Sequence, residues 1–281
     1  MSMNINKVYA VYFSGTGTTE KVVTKIAETI AENLTPGKDV TVFDFTSPAA
    51  RKMTHSFSET DLVIFGVPTY AGRVPNVLLP YIKESIRSEG GPAVGIVTYG
   101  NRDFDDSLIE LEELLVWDGF KPVAGAAFVC EHAFSYKLAA GRPDEQDMKA
   151  AVRFAIDAAV KLKTTTLEEA TPVRVAGCLP IRPYYTPRDR NGEPIDIRKV
   201  KPVTGEECDR CGICAEVCPM GSIPKEDPTT CTGICIKCGA CVKKCPKKCK
   251  TFTDENYLYH MHELEEMYTR RAEPVFFLDV K

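Results

Sequence analysis

KVYAVYFSGTGTTEK, residues 7–21, decides the fold. After Lys7 come aromatic, β-branched and small residues, the make-up of a strand buried on both faces. Six small residues follow: Ser14, Gly15, Thr16, Gly17, Thr18 and Thr19. Then Val22, Ile26, Ala27 and Ile30 recur on one helical face. A strand that turns through glycines and hydroxyls into a helix makes a concave anion site. The glycines let the backbone come close, the hydroxyls donate, and the helix N-terminus adds N–H groups and partial positive charge. No Lys follows in a G-K-[ST] pattern, and Glu20 stands where G-x-G-x-x-G needs its last glycine. The loop is therefore neither a nucleotide-hydrolysing P-loop nor a dinucleotide fingerprint.

Working outward, strand patterns fall at 40–45, 61–67, 93–99 and 122–129. Helical patterns fall at 76–86, 107–117 and 143–163, the last opened by Pro143 at an early position where its missing N–H costs little. Five strands alternating with helices predict a doubly wound α/β domain with a five-stranded parallel sheet. The simplest order is 2-1-3-4-5, with ligands at the carboxyl ends of the strands. Two further loops lie at that end. One carries Pro68, Thr69, Tyr70, Ala71, Gly72 and Arg73; the other carries Tyr99, Gly100, Asn101 and Arg102. A planar isoalloxazine needs flat surfaces and a few backbone or amide groups at its pyrimidine edge. Tyr70 and Tyr99 are candidates for the first need, and Gly72, Gly100 and Asn101 for the second. Arg73 or Arg102 would favour an anionic reduced ring. His132, after strand 5, is either a lining residue or a structural histidine. The three loops together predict flavin mononucleotide (FMN), with its phosphate on Ser14–Thr19.

The chain changes character after the fourth helix. Residues 166–203, rich in Pro and charge, read as an extended connector. Of the 12 cysteines, ten lie between Cys208 and Cys249. Cys208, Cys211, Cys214 and Cys218-Pro219 repeat as Cys235, Cys238, Cys241 and Cys245-Pro246, each a full C-x2-C-x2-C-x3-C-P run. Three cysteines two residues apart wrap three corners of a cubane, and the fourth reaches the other cubane. One 4Fe–4S cluster is therefore assigned to Cys208, Cys211, Cys214 and Cys245, the other to Cys235, Cys238, Cys241 and Cys218. Structural zinc is the competing reading, but it needs paired cysteines rather than three in series. Cys231 and Cys249 are spare ligands, redox thiols or, the simplest expectation, small buried residues, as are Cys130 and Cys178. Lys243, Lys244, Lys247, Lys248 and Lys250 either raise a cluster potential, steer an acidic partner, or line a solvated loop. Residues 254–271 have helical periodicity.

SGTGTTEK at 14–21 resembles the phosphate loop of flavodoxins, and the cysteine runs resemble two-cluster bacterial ferredoxins. The whole chain resembles the fused flavodoxin–ferredoxin proteins of anaerobic bacteria and archaea. That resemblance extends to PTYAGRVPN at 68–76, TYGNRDFDD at 98–106, EHAFS at 131–135, PYYTPRDRNG at 183–192 and RRAEPVFFL at 270–278. It implies a flavodoxin-like FMN domain at 1–165, a connector at 166–203, and a small α+β ferredoxin-like domain at 204–252. A C-terminal helix and tail occupy 253–281. The expected function is electron transfer between the clusters and FMN, converting one-electron and two-electron steps for a redox protein partner. The alternative is an FMN-dependent reductase acting directly on a quinone, an enone or oxygen. The net charge of −4 does not suggest a nucleic-acid binder. No apolar run approaches the roughly 20 residues of a membrane span. Residues 1–7 are polar and lead into a strand, so no signal peptide and a cytoplasmic location are expected. A homodimer is an open expectation.

Overall fold

The structure, a computed structural model, describes residues 3–278. Short apolar runs become strands and the periodic runs between them become helices. The first part contains β1 (Lys7–Tyr12), α1 (Thr18–Leu34), β2 (Thr41–Asp44), β3 (His55–Phe57), β4 (Asp61–Pro68) and α2 (Leu79–Ser85). It continues through β5 (Ile86–Ser88), β6 (Pro92–Tyr99), α3 (Ser107–Trp117), β7 (Lys121–Val129) and α4 (Glu145–Thr164). Beyond these lie β8 (Val203–Thr204), α5 (Ile213–Glu216), α6 (Ala240–Lys243), β9 (Lys250–Thr251), α7 (Glu255–Met267) and β10 (Val275–Phe277).

The main sheet runs β10-β7-β6-β4-β1-β2. Its first five strands in the chain, β1, β2, β4, β6 and β7, pair in parallel. The sheet thus has six strands where five were predicted. The sixth, β10, pairs antiparallel with β7, from Val275 opposite Ala127 to Phe277 opposite Gly125. Phe276 explains why a three-residue strand holds: its ring packs 5.1 Å from Phe154 and 5.6 Å from Phe128. It also covers a sheet edge that would otherwise expose unpaired backbone groups. The C-terminal tail is therefore part of the first domain's sheet; residues 279–281 lie outside the described residues.

α1 and α4 cover one face of the sheet, burying Val22, Ile26 and Ile30 with Phe154 and Leu162. The other face packs Leu108, Leu111 and Leu115 of α3 against Val63, Phe65 and Val97. Gly66 of β4 has no alternative, since a Cβ there would lie 2.2 Å from Val23 Cγ2. α4 begins two residues later than predicted, at Glu145. Pro143 stands outside, and Asp144 caps the helix by accepting from the Gln146 and Asp147 N–H groups in a reciprocal capping box. Glu112 of α3 is buried, its carboxylate oxygens without a hydrogen-bond partner. It lies over Gly95 and Gly125, where Cβ atoms would come within 2.4 and 3.0 Å of Oε1. Burial pushes its carboxyl pKa well up, only partly opposed by Lys161.

Between α4 and β8 the chain has no helix or strand. It is nonetheless strapped down. Val173 N–H donates to Pro122 O, Tyr185 N–H to Ala71 O, and the Tyr184 hydroxyl to Val74 O. The cysteine-rich part follows. β8 and β9 pair antiparallel, and α5 and α6 are single turns that lie against each other. Its two halves repeat in conformation as well as sequence. Arg210 and Lys237 share a left-handed φ of 59° and 54°, and Gly212 and Gly239 one of 80° and 75°. α7 then bridges back. Tyr257 stacks on Phe252 at 4.3 Å and meets Phe134 at 4.7 Å, while Glu265 accepts from the Ser135 hydroxyl at 2.6 Å. No helix of the described residues is long and apolar enough to cross a membrane.

Candidate functional site

The carboxyl ends of β1, β4 and β6 bring the three predicted loops to one end of the sheet. In the first loop, Ser14 and Gly15 are buried, and Thr16, Gly17 and Thr18 are half-buried. Gly17 adopts a φ of 92° as the residue before α1, a helix with no side-chain cap. The Ser14 hydroxyl accepts from Glu20 N–H, and the Thr16 and Thr18 hydroxyls lie 3.3 Å apart. The uncapped first turn of a 17-residue helix beside these hydroxyls suits a phosphate ester. Thr19 differs from the rest: it is buried, and its hydroxyl meets that of Thr98 at 2.7 Å. It ties α1 to β6.

The other two loops are held by protein groups more fully than the sequence suggested. Pro68 ends β4, and Thr69 bonds the Ser107 hydroxyl at 2.6 Å. Ala71 and Gly72 turn the chain with φ of 51° and 77°. A Cβ on Gly72 would lie 2.5 Å from Asp105 Oδ2, and one on Gly100 2.1 Å from His132 Cδ2. These glycines admit neighbouring side chains as well as open backbone. Arg73 is committed to Glu110, with Nη2–Oε1 at 2.5 Å, and lies 4.6 Å from the Tyr184 ring. Arg102 pairs with Asp105 and stacks over Tyr185 at 4.6 Å. Asn101 is buried with φ 67°; its amide donates to Tyr268 O and Arg270 O and accepts from Ala272 N–H. Its side chain anchors the segment after α7, so Gly100, Tyr70 and Tyr99 remain the candidates nearest a ring. Tyr99 is buried against Phe104. Burial, followed by the neighbouring Cys238 and Cys235, pushes the Tyr70 phenol pKa well up. His132 accepts from Phe134 N–H at Nδ1, and burial pulls its pKa down to about 3. It is neutral near pH 7.

The eight cysteines assigned to clusters gather in two sets of four. Cys218, Cys235, Cys238 and Cys241 line one recess. Cys208, Cys211, Cys214 and Cys245 line another. Each set takes its fourth cysteine from the other run. Cys231 joins the first recess and Cys249 the second, with Cys249 Sγ 3.5 Å from Cys245 Sγ. The sequence offered only their four-residue offset from a run, which did not separate lining thiols from packing ones. Among the described residues, no three Cys, His, Asp or Glu side chains converge where a single ion could sit. The lysines divide. Lys250 is buried, donating to the Thr204 hydroxyl at 2.6 Å, and Lys243 pairs with Glu131 at 2.6 Å. Lys244, Lys247 and Lys248 are exposed.

Asp106 was missed. It is buried at the start of α3 and receives two bonds from the Arg182 guanidinium and the N–H groups of Cys178 and Arg182. The Arg182 side-chain bonds lead in holding its carboxyl down to about 2. Its partners lie more than 70 residues away in the connector, so no local pattern announces it.

The class of the first domain follows from this sheet and its loops: residues 9–105 match the family model described as a flavodoxin domain. A flavodoxin-like domain implies flavin binding. Among solved structures, a flavodoxin from the domain Archaea is 18% identical, covering 56% of this chain and 99% of its own, with a TM-score of 0.40. A Streptococcus pneumonia flavodoxin is 20% identical, with 56% and 99% coverage and a TM-score of 0.39. Rubredoxin oxygen:oxidoreductase from the anaerobe Desulfovibrio gigas is 22% identical, covering 57% of this chain and 37% of its own, with a TM-score of 0.38. Likenesses of this size carry no argument here; the class rests on the family model and the fold. No curated protein matches the chain.

Proposed function

We propose that this protein is an electron carrier that joins one FMN in the flavodoxin-like domain to two 4Fe–4S clusters in a ferredoxin-like cysteine domain. The observation that carries the reading is the exchange of fourth cysteines, Cys245 into the Cys208 recess and Cys218 into the Cys235 recess. That crossing is the signature of two-cluster ferredoxin ligation. A zinc site draws four sulfurs to about 2.3 Å from one point. Thiols spread round a recess suit a group with volume of its own. FMN, when bound, accepts two electrons, and each cluster accepts one.

The chain's own residues do the positioning. The Ser14–Thr18 loop and the start of α1 take the phosphate, with Pro68, Thr69, Tyr70, Ala71, Gly72, Tyr99 and Gly100 around the ring. The connector braces those loops through Arg182, Tyr184 and Tyr185. A separate redox protein supplies or removes electrons. Single ligand variants test the crossing. In Cys245→Ser, iron falls to about half, and the surviving EPR signal matches that left by Cys211→Ser, because the two ligate one cluster. A surviving signal that matches Cys238→Ser contradicts the assignment.

A further inference from the structure

We propose that the two cysteine recesses are unequal, with the Cys238 recess on the flavin side and the Cys211 recess on the solvent side. Electrons exchanged between the flavin and an external one-electron carrier would cross them in that order. This rests on the reading of FMN and two clusters above.

Cys211 and Cys238 are equivalent residues, the second cysteine of each run. Their backbones match, since the residues before and after them share the same left-handed conformations. Their surroundings do not match. Cys211 is exposed, whereas Cys238 is only 9% exposed. What covers Cys238 is the phosphate loop itself. A Cβ on Gly15 would lie 3.1 Å from Cys238 Cβ and 3.5 Å from its Sγ. Glycine at 15 therefore lets the second cysteine run dock on the loop. The next residue docks too: a Cβ on Gly239 would lie 2.6 Å from Ala133 O, in the segment after β7. Ile236 packs into the core cluster that holds Phe13 and Tyr99.

The first run has a different setting. Arg210 and Asp209 pair with Asp227 and Lys247, all within the cysteine domain. Gly212, the counterpart of Gly239, has open space where its Cβ would stand. One half of a near-symmetric pair is thus buried against the flavin loops, and the other faces water. Tunnelling falls steeply with distance, so the buried recess is the partner of the flavin and the open one the port. Each passage moves one electron. Two reduced one-electron carriers supply the flavin's two electrons, and water supplies its protons.

The test uses the full-length protein loaded with iron and FMN, in two variants that each keep one cluster. The reduced-cluster EPR signal is measured with and without a soluble paramagnetic lanthanide chelate, and its midpoint potential before and after FMN removal. Cys238→Ser keeps the solvent-side cluster. Its signal relaxes faster with the chelate, and its midpoint is unchanged by FMN removal. Cys211→Ser keeps the flavin-side cluster, with a signal insensitive to the chelate and a midpoint that shifts when FMN leaves. The reverse pattern overturns the order. Should Cys238→Ser fail to fold, Cys211→Ser alone decides: a chelate-sensitive signal with no midpoint shift overturns it. Wild-type protein without iron refutes the cluster reading itself, a failure distinct from either pattern.

Discussion

Asn101 shows how a side chain in a candidate loop can be held by distant backbone that the sequence does not reveal. An amide in a loop at the carboxyl end of a sheet is an obvious candidate for a flavin edge. Here all three of its bonds hold the chain between Tyr268 and Ala272. Those partners lie 167 to 171 residues away, beyond any local pattern. Asn101→Ala leaves three backbone groups without this partner, and the buried Ala272 N–H among them costs about 1–3 kcal/mol. The expected outcome is a clearly lowered unfolding midpoint, with FMN affinity in the folded protein changed little; a large loss of affinity without loss of stability would return Asn101 to the flavin. Glu112 is a second residue-scale surprise, since the periodicity of α3 gave no reason for a carboxyl under the sheet. Its folded pKa is raised above the unfolded value, so its contribution is full below about 4.3 and is lost as pH climbs through the folded pKa. Glu112→Gln should flatten that decline, leaving the variant relatively more stable at pH 8 than at pH 4 in denaturant titrations. Equal slopes for both proteins would contradict the burial argument.

At the scale of elements, the long periodic segments were legible and the short pieces were not. Lys7–Tyr12, Asp61–Pro68 and Ser107–Trp117 follow directly from apolar runs and helical faces. β3 and β5, three residues each, pair only because their flanks bring them together. β10 depends on Phe276 finding Phe128 and Phe154, a tertiary event. The start of α4 was misjudged because Pro143 offers a helix-start signal, yet Asp144 offers a stronger one through its carboxylate. Asp144 also receives Arg271 at 2.8 Å, so it fixes both the helix start and the approach to β10. Asp144→Ala should cost about 0.5–2 kcal/mol for the cap. Asp144→Asn keeps the cap and loses the ion pair, so it should recover most of the loss in chemical denaturation. Equal losses in both variants would put the weight on Arg271.

Across the whole molecule, the sharp change of composition at the cysteines is readable in the sequence. The mutual arrangement of the parts it separates is not. It depends on contacts such as Lys243 with Glu131, Arg51 with Pro219 O, and Gly15 beneath Cys238. These join residues more than 100 positions apart. The connector and α7 close the assembly, with Arg190 reaching Glu263 at 2.7 Å and Asp106 gripping Arg182. The chain is thereby built as one braced unit around the loops at the carboxyl end of the sheet. If the exposed Lys244, Lys247 and Lys248 steer an acidic partner, the rate of electron exchange with it should fall steeply with added salt, as screening shortens the reach of charge. A flat salt response would make them ordinary surface residues.

The cofactor set is tested most simply by an anaerobic reductive titration with metal and flavin quantified. Visible absorbance and low-temperature EPR follow each addition of reductant. Two clusters and a flavin require about eight irons and about one FMN per chain, and about four electrons taken up in all. Zinc in place of iron, or a chain that retains no flavin, would contradict that set.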